Sequence, residues 1–411
     1  MATRALLFFG LAAAAAAASV ACSSPATHSG FTESNATGAG GGGGTSSSGG
    51  NGSSSGGTFN DGDAGSTTGG GGCSPNPANA EIADNNCDDD GDGKIDNVAT
   101  CDNGLAVDGA AGDFAKAIGI CDQASSRGFG VVSAVYSNGF GRTAAPHQGQ
   151  WGLLPRFGSV LGPREGQTLG AISSGYAREF DSPSGGNTPF FDIGPLDGQS
   201  YPTGAAPSGY PRAAAGCQQD NVVNDMIDVK LTLKAPPNAI GFKFDFDFHS
   251  SEWPAFICTN FNDAFVAYLS APSFNGGSGD NVSFDSKNNP VSVNNGFFDR
   301  CTPSSPIGCG DGQSPTGTAA CPGGPSELAG TGFGLTASPQ TGPVCTQGQT
   351  VGGATGWLTT QAKVAAGEEF TIEFMIWDAG DGVLDSLVLI DKFQWIGGGT
   401  TVTPGTTRPP R

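Results

Sequence analysis

The sequence has few basic residues and few histidines. It contains 18 Lys and Arg against 38 Asp and Glu, which gives a formal net charge of −20, and it has only three His. Nucleic acids and anionic lipid surfaces attract basic proteins, so this charge argues against both as partners. No two cysteines have the Cys-x-x-Cys spacing of zinc or thioredoxin-like sites, and the G-x-S-x-G elbow of serine hydrolases does not occur.

Long apolar runs are also scarce. The run over residues 6–18 has the length of a signal-peptide core and is short for a membrane span. It ends in SVAC, where Ala21 precedes Cys22, and this ending resembles the bacterial lipobox, although Ser19 stands where Leu is usual. We therefore expect a signal peptide over residues 1–21 and an exported lipoprotein of a Gram-negative outer membrane or cell surface, lipidated at Cys22. Ordinary secretion is the alternative.

Charged residues make up only 14% of the chain, whereas Gly occurs 69 times, which favours loops and strands over helices. Residues 22–72 are rich in Gly and Ser and nearly free of charge. Such a segment cannot bury enough surface to offset its ordering entropy. We expect a disordered, lipid-anchored linker spanning roughly 40 Å root-mean-square.

The cysteine count is odd, at 11. If Cys22 carries the lipid, ten remain, and an even set in an exported chain predicts disulfides. Sequence does not determine their pairing, but neighbours such as Cys87 with Cys101 and Cys301 with Cys309 are reasonable pairs. The ten candidates are Cys73, Cys87, Cys101, Cys121, Cys217, Cys258, Cys301, Cys309, Cys321 and Cys345.

Alternating patterns predict strands. IGFKFDFDF places Phe242, Phe244, Phe246 and Phe248 on one face, FTIEFMIWD repeats the alternation, and DSLVLIDKFQW is continuously apolar, as in a strand covered on both sides. In VDGAAGDFAKAIGIC the apolar residues have helical spacing, with Asp108 or Asp113 as candidate caps. The sequence predicts a mainly β fold, a jelly-roll-like β-sandwich with long disulfide-braced loops and one short helix near the N-terminus of the body.

The expected organisation has six parts. They are the signal peptide (1–21), the linker (22–72), a Cys- and Asp-rich calcium-loop module (73–102), an N-terminal extension of the body (103–164), the β-sandwich (165–397) and a disordered tail (398–411).

The module contains the spacing of a calcium loop, D-x-D-x-D-G-x-x-D, in which alternate oxygens converge on one cation and Gly93 permits the turn. Ile95 would anchor the loop inward. Position 12 of an EF-hand counted from Asp88 is Ala99, so the loop is shorter than an EF-hand. It resembles the loops of thrombospondin type 3 or dockerin repeats and the Asp-rich metal-binding motif of myxobacterial surface proteins. A solvated acidic run is the alternative. The candidate ligand positions are Asp88, Asp90, Asp92, Lys94 and Asp96.

The body carries two further acidic stretches, HSSEWPAFICTNFNDAF and DAGDGVLDS. A Phe-rich strand followed by S-x-E-W-P, F-N-D-x-F and D-x-G-D-x-x-x-D-S resembles the choice-of-anchor L domain of bacterial surface proteins, over roughly residues 165–397. The resemblance implies an exported, surface-attached β-domain and no particular activity.

The acidic residues of these stretches allow three interpretations. They could converge on one Ca²⁺, Glu252 and Asp263 could act as acid and base on a glycoside, or they could satisfy backbone donors in turns. His249 at a strand end is expected to be structural, and the tryptophans are expected to pack in the core rather than to form a sugar platform. The candidate metal ligands are Glu252, Asn262, Asp263, Asp378, Asp381 and Asp385.

Together these features predict a lipid-tethered surface protein with structural Ca²⁺ and a binding or adhesion role toward a glycan or a cell-surface protein. We expect no enzymatic activity and no nucleic-acid partner. The alternatives are a secreted glycoside hydrolase or other polymer-degrading enzyme, and a coat component without a specific ligand.

Overall fold

The structure, a computed structural model, describes residues 73–178, 204–294, 297–304, 306–314, 317–335 and 345–409. The chain divides into two compact units, 1–65 and 66–411, and all described residues belong to the second. The predicted signal peptide, Cys22 and the linker lie outside the described residues. None of the described helices has the length and apolar character that a membrane span needs.

The described residues form short helices and many strands. The helices are α1 Ala111–Ala117 and α2 Ala124–Arg127, and 3-10 turns occur at Gln148–Gln150, Asn275–Gly277, Gly310–Gly312 and Ser326–Leu328. The strands are β1 Gly130–Ser137, β2 Trp151–Leu154, β3 Leu169–Ser173, β4 Val223–Lys234, β5 Ala239–Ser250, β6 Ala264–Ser270, β7 Asp280–Asn281, β8 Val291–Ser292, β9 Gly353–Ala354, β10 Leu358–Lys363, β11 Glu369–Ala379, β12 Ser386–Gly397 and β13 Gly405–Thr407.

Two antiparallel sheets make a sandwich-like arrangement. The first sheet has the order β1-β4-β11-β6-β7, with β8 also paired to β6. The second has the order β13-β10-β5-β12-β3-β2, with β9 also paired to β5. The long strands alternate between the sheets, since β4, β6 and β11 lie in the first and β5, β10 and β12 in the second. The predicted mainly β sandwich is confirmed. Strands β1 and β2, from the predicted N-terminal extension, belong to these sheets.

The main core lies between the sheets and is lined by phenylalanine. The four predicted inward residues of β5 are all fully buried. The Phe244 ring packs edge-on against Phe374 of β11 at 5.1 Å between centroids, and Phe242 stacks on Phe370 at 5.4 Å. Burial of such a side chain contributes about 1.5–3 kcal/mol, so this alternation is a main source of stability.

The second sheet is covered on its other side as well. A second apolar cluster includes Phe157, Phe333, Leu387 and Leu389. Because Leu387 and Leu389 alternate in β12 with Val388 and Ile390 of the main core, β12 is buried on both faces, as its continuous apolar sequence predicts.

Five disulfides brace the described residues. The two pairs expected from proximity are wrong, because Cys87 and Cys101 each bond to a different cysteine, and so do Cys301 and Cys309. Three bonds join cysteines that are consecutive along the chain, whereas Cys301–Cys321 and Cys309–Cys345 interleave. The bonds are Cys73–Cys87, Cys101–Cys121, Cys217–Cys258, Cys301–Cys321 and Cys309–Cys345.

Two local expectations are also wrong. Helix α1 starts after Ala110 without a side-chain cap, and Asp113 instead lies in the first turn, where it pairs with Lys116 at 2.8 Å. The predicted disordered tail contains β13, which pairs with β10 from Thr359 to Gln361. Backbone hydrogen bonds at an open sheet edge order this segment, and its Gly- and Thr-rich sequence gives little sign of them.

Candidate functional site

The stretch between β5 and β6 carries buried acids at one end of the sandwich. Strand β5 ends at Ser250, a series of turns follows, and β6 begins at Ala264. Within the turns Glu252 is only 3% exposed, and Asn262 and Asp263, directly before β6, are each 1% exposed. These carboxylates therefore lie where loops meet and are closed off from solvent.

Asp263 joins three strands. Its Oδ1 accepts a hydrogen bond from the Ala379 backbone N–H at 3.0 Å, at the end of β11. Its Oδ2 accepts one from the Ser386 hydroxyl at 2.7 Å, at the start of β12. Because β12 belongs to the second sheet and β6 and β11 to the first, Asp263 ties the two sheets together. This contact matches the interpretation in which the acids satisfy donors in turns.

The second acidic stretch lies beside the first, but its three acids differ in exposure. Asp378, at the end of β11, is 2% exposed and Asp385, before β12, is 6% exposed, whereas Asp381 is exposed. The Asp385 backbone carbonyl accepts a hydrogen bond from the Ser251 N–H at 3.1 Å. The two sequence-predicted stretches are therefore adjacent in the fold.

The electrostatic environment shows that these carboxylates influence one another. Burial, followed by the charge of Asp263, raises the pKa of Glu252 and of Asp378 well above the usual range. Burial also raises the pKa of Asp263 to about 7, and the hydrogen bonds from Ala379 and Ser386 oppose that rise. The charges that raise the pKa values of Glu252 and Asp378 are those of other carboxylates. Carboxylates that lie so close together are stable only when some of them are protonated or when a cation balances their charge.

Asp378 has an unusual position in this cluster. Among the described residues, neither of its carboxylate oxygens meets a donor in hydrogen-bond geometry, although the Ser174 hydroxyl is close enough to lower its pKa. The Glu252 Oε2 and Asn262 Oδ1 atoms are likewise buried without a partner in the described parts of the chain. A buried carboxylate without a donor is costly, which makes these oxygens candidates for a ligand.

Sequence reasoning missed Asp225. This residue is 5% exposed, and its charge raises the pKa of Asp378. It lies in β4 with a positive φ of 47°, next to the register shift between Ile376 and Asp378 of β11. Only strand pairing brings Asp225 to this end of the sandwich, and the sequence carries no local signal for it.

The Asp-rich loop has the expected turn. The Asp92 N–H donates to Asp88 Oδ1 at 3.0 Å and the Gly93 N–H donates to Asp88 Oδ2 at 3.0 Å. The Asp96 carboxylate accepts hydrogen bonds from the backbone N–H groups of Asn85 and Asn86. Two of the predicted ligands, Asp88 and Asp92, therefore belong to the turn, whereas Asp96 binds the backbone of the segment that precedes the turn.

A group with metal-ligand spacing does occur beside this loop. Among the described residues, Glu81, Asp88 and Asp90 offer carboxylate oxygens that all lie within 4.8 Å of one another, and these three residues form the one group that does so. Glu81, which sequence reasoning missed, has its pKa raised mainly by burial. Glu81 lies seven residues before Asp88, and this spacing does not predict that the two carboxylates come close together.

Two residues of the loop lie differently from what the spacing suggests. Ile95 is 52% exposed, so the expectation that it anchors the loop inward is wrong. No apolar neighbour covers it because the loop itself runs over the surface. The Lys94 ammonium lies 3.5 Å from the Asp92 carboxylate, and the two side chains are 71% and 38% exposed.

A cleft of about 200 Å³ lies next to this acidic group. Its walls include the acids Glu81, Asp90 and Asp122, together with Trp395 of β12. Arg127 pairs with Asp122 at 3.2 Å and approaches Asp90 at 3.8 Å. Arg127 thus partly neutralises the acidic wall of the cleft.

His249 is a packed core residue. It is fully buried, its ring lies 5.3 Å from those of Phe157 and Phe333, and neither ring nitrogen has a hydrogen-bond partner among the described residues. Burial lowers its pKa to about 3, so the ring is neutral. Its Nδ1 lies 3.8 Å from Asp247, too far for a hydrogen bond. The geometry matches a structural role.

Two of the tryptophans, which are expected to pack in the core, do so, because Trp253 and Trp377 are 4% and 0% exposed.

Residues 215–394 match the family model described as the choice-of-anchor L domain. No curated protein matches the chain, and no solved structure does. The matched region contains β4 to β11, most of β12 and both acidic stretches of the body, and it starts later than the resemblance drawn from the motifs. A choice-of-anchor domain indicates a surface-associated or exported protein. The resemblance is thus confirmed over these residues, and the chain carries a choice-of-anchor L domain.

Proposed function

We propose that this chain is a surface-attached binding protein whose β-sandwich is held in shape by disulfides and calcium, and that it is not an enzyme. The match of residues 215–394 to the choice-of-anchor L domain carries the proposal. The burial of Glu252 and Asp263 supports a structural role for the acids, because a polymer cannot reach carboxylates that are 3% and 1% exposed.

Attachment is proposed to occur through a lipid on Cys22. The apolar run ending at Ala21 and the Gly- and Ser-rich segment after it support an anchor followed by a tether. Fractionation of cells that express the chain and its Cys22→Ser variant tests this. We expect the parent chain in the outer-membrane fraction, labelled by a fatty-acid probe. Equal membrane association and labelling of both chains would refute it.

Calcium is proposed to bind in the Asp-rich module. The converging oxygens of Glu81, Asp88 and Asp90 support a site for a hard cation, which prefers such ligands. The five-disulfide frame and net charge of −20 suit an exported chain that meets calcium outside the cell.

The partner is proposed to be a glycan or a protein of the cell surface. A glycan array and whole-cell binding, both probed with the purified calcium-loaded chain, test this role. We expect saturable binding that heat-unfolded chain lacks. If the array and cells show none, the coat-component alternative replaces binding. If released sugars accumulate from an array ligand and Glu252→Gln stops the release, the hydrolase alternative replaces it.

A further inference from the structure

We propose that the cleft beside the Asp-rich module binds the end of an alkylammonium ligand, which is a primary ammonium group on an apolar stem. A polyamine and a lysine side chain both carry such a group. The cleft has a volume of about 200 Å³ and is lined by parts of residues 80–99, 119–127 and 393–395. This volume is below the roughly 300–1,000 Å³ of pockets for drug-sized ligands, so it suits a ligand about as large as one side chain. The inference goes beyond the proposed calcium and glycan binding and depends on neither.

The first support is the condition of two side-chain amides in the cleft wall. Gln394 is 5% exposed, and its Nε2 donates to Glu165, outside the wall, at 3.2 Å, which leaves Oε1 on the cleft side. Asn97 donates from Nδ2 to Asp92 at 3.0 Å. Among the described residues, Gln394 Oε1 and Asn97 Oδ1 have no hydrogen-bond partner. Neither amide can be turned over, because its oxygen would then face a carboxylate. Both unpaired atoms are therefore acceptors, and a ligand that satisfies them must donate hydrogen bonds.

The second support is the charge of the wall. Of the described residues that line the cleft, one is a base, Arg127, and four are acids, namely Glu81, Asp90, Asp92 and Asp122. Arg127 pairs with Asp122 at 3.2 Å and approaches Asp90 at 3.8 Å, so its one charge is shared between two acids. Lys94, outside the wall, lies 3.5 Å from Asp92 at an exposed position, and even with it the acids outnumber the bases. A cleft with surplus negative charge attracts cations, and a primary ammonium offers three donors and no acceptor.

The third support is the apolar part of the wall. It includes Trp395, which is partly buried, and Phe393 and Ile120, which are 2% and 3% exposed. The rings of Trp395 and Phe393 meet edge-on at 5.2 Å between centroids, so Phe393 helps to fix the tryptophan. The methylene stem of a lysine or polyamine packs on apolar surface while its charged head stays among polar groups. An aromatic ring near the ammonium adds a cation–π attraction. The cleft thus offers acceptors for the head and apolar surface for the stem.

Titration calorimetry of the purified full chain tests the site with two probes that share an aminobutyl group. Putrescine represents a free polyamine, and Nα-acetyl-lysine amide represents a lysine side chain. We expect one equivalent of at least one probe to bind with a Kd below about 1 mM, and the probe that binds identifies the source of the ammonium. Tetramethylammonium has the charge but no N–H group, so it should bind at least about tenfold more weakly. EDTA in the buffer keeps calcium off Glu81 and Asp90, which separates this result from the proposed calcium site.

Two variants remove parts of the site. Asp122→Asn removes a charge, and Gln394→Met removes the unpaired oxygen while keeping the length of the side chain. We expect each to weaken binding of the probe at least about tenfold. Asp108→Asn, at an exposed acid outside the cleft wall, removes the same charge from the chain and should bind like the parent. The inference is overturned if neither probe saturates near one equivalent, or if Asp122→Asn and Gln394→Met bind as tightly as Asp108→Asn. Should Gln394→Met fail to fold, Asp122→Asn against Asp108→Asn still decides the matter.

Discussion

Ser386 and Asp263 are joined across the two sheets by a 2.7 Å hydrogen bond in which the Ser386 hydroxyl donates to the carboxylate. Both residues are buried, at 0% and 1% exposure. The bond fixes the start of β12 to the start of β6, so the two acidic stretches keep one relative position.

Ser386→Ala removes that bond and leaves a buried carboxylate oxygen with one donor fewer. We expect a loss of about 1.5–3 kcal/mol in the free energy of unfolding, because the bond involves a charged acceptor. Denaturant unfolding of the calcium-free chain measures it. Ser133→Ala, at an exposed position of β1, should change the free energy by less than about 0.5 kcal/mol. Equal effects of the two variants would contradict the assigned role.

Phe244→Ala opens the core between the sheets. The Phe244 ring contacts Phe246 and Phe374 at centroid distances of 6.0 and 5.1 Å and is fully buried. We expect a loss of about 3–5 kcal/mol in the free energy of unfolding, measured with denaturant. Val132→Ala, at a residue that is 45% exposed, serves as the control. A loss below that of the control would show that β5 does not face the core.

Asp228 should make stability depend on pH. Burial, with the charge of Glu373 next, raises its pKa from 3.8 to about 8. Between about pH 4 and 8 the Asp228 carboxyl is therefore protonated in the folded state and ionised in the unfolded state. Its contribution to the free energy of unfolding is fully present below about pH 4 and is lost as pH rises to about 8, with a slope approaching about 1.4 kcal/mol per pH unit.

Asp228→Asn tests this pH dependence. The amide cannot titrate, so the free energy of unfolding should vary less between pH 5 and 8 than in the parent chain. Its oxygen can still accept the hydrogen bond from Ser137, which is 3.1 Å long in the parent. The exposed Asp108→Asn variant should leave the slope unchanged. A slope that is the same in all three chains would show that Asp228 is ionised when folded.

How far the sequence predicts this molecule depends on whether a feature is local. The alternation of Phe242 to Phe248 is a property of one strand, and it predicted the buried face correctly because the side chains of a strand alternate with period two. Asp225 joins its acidic cluster only after the distant strands β4 and β11 pair, so a tertiary contact decides its place. Glu81 lies only seven residues before Asp88, but its spacing is not that of the calcium-loop motif, so the motif does not mark it.

The disulfides illustrate the same limit and give a further prediction. Peptide mapping of the unreduced chain should recover the five bonds described above, among them Cys301–Cys321 and not Cys301 with Cys309. Replacing Cys101 and Cys121 by Ser should lower the free energy of unfolding by about 3 kcal/mol, since the bond closes a loop of about 20 residues in the unfolded chain. A peptide that links Cys87 to Cys101, or Cys301 to Cys309, would contradict the structure.

The bonds Cys73–Cys87 and Cys101–Cys121 also determine how the protein would bear mechanical load. A pull on the chain before Cys73 passes through the first bond to Cys87, along the Asp-rich loop, and through the second bond to Cys121. Residues 74–86 and 102–120 are bypassed, so tension cannot extend them while the bonds last. The Asp-rich loop is the one part of this path that carries force through backbone alone, and its folding would respond first to shear.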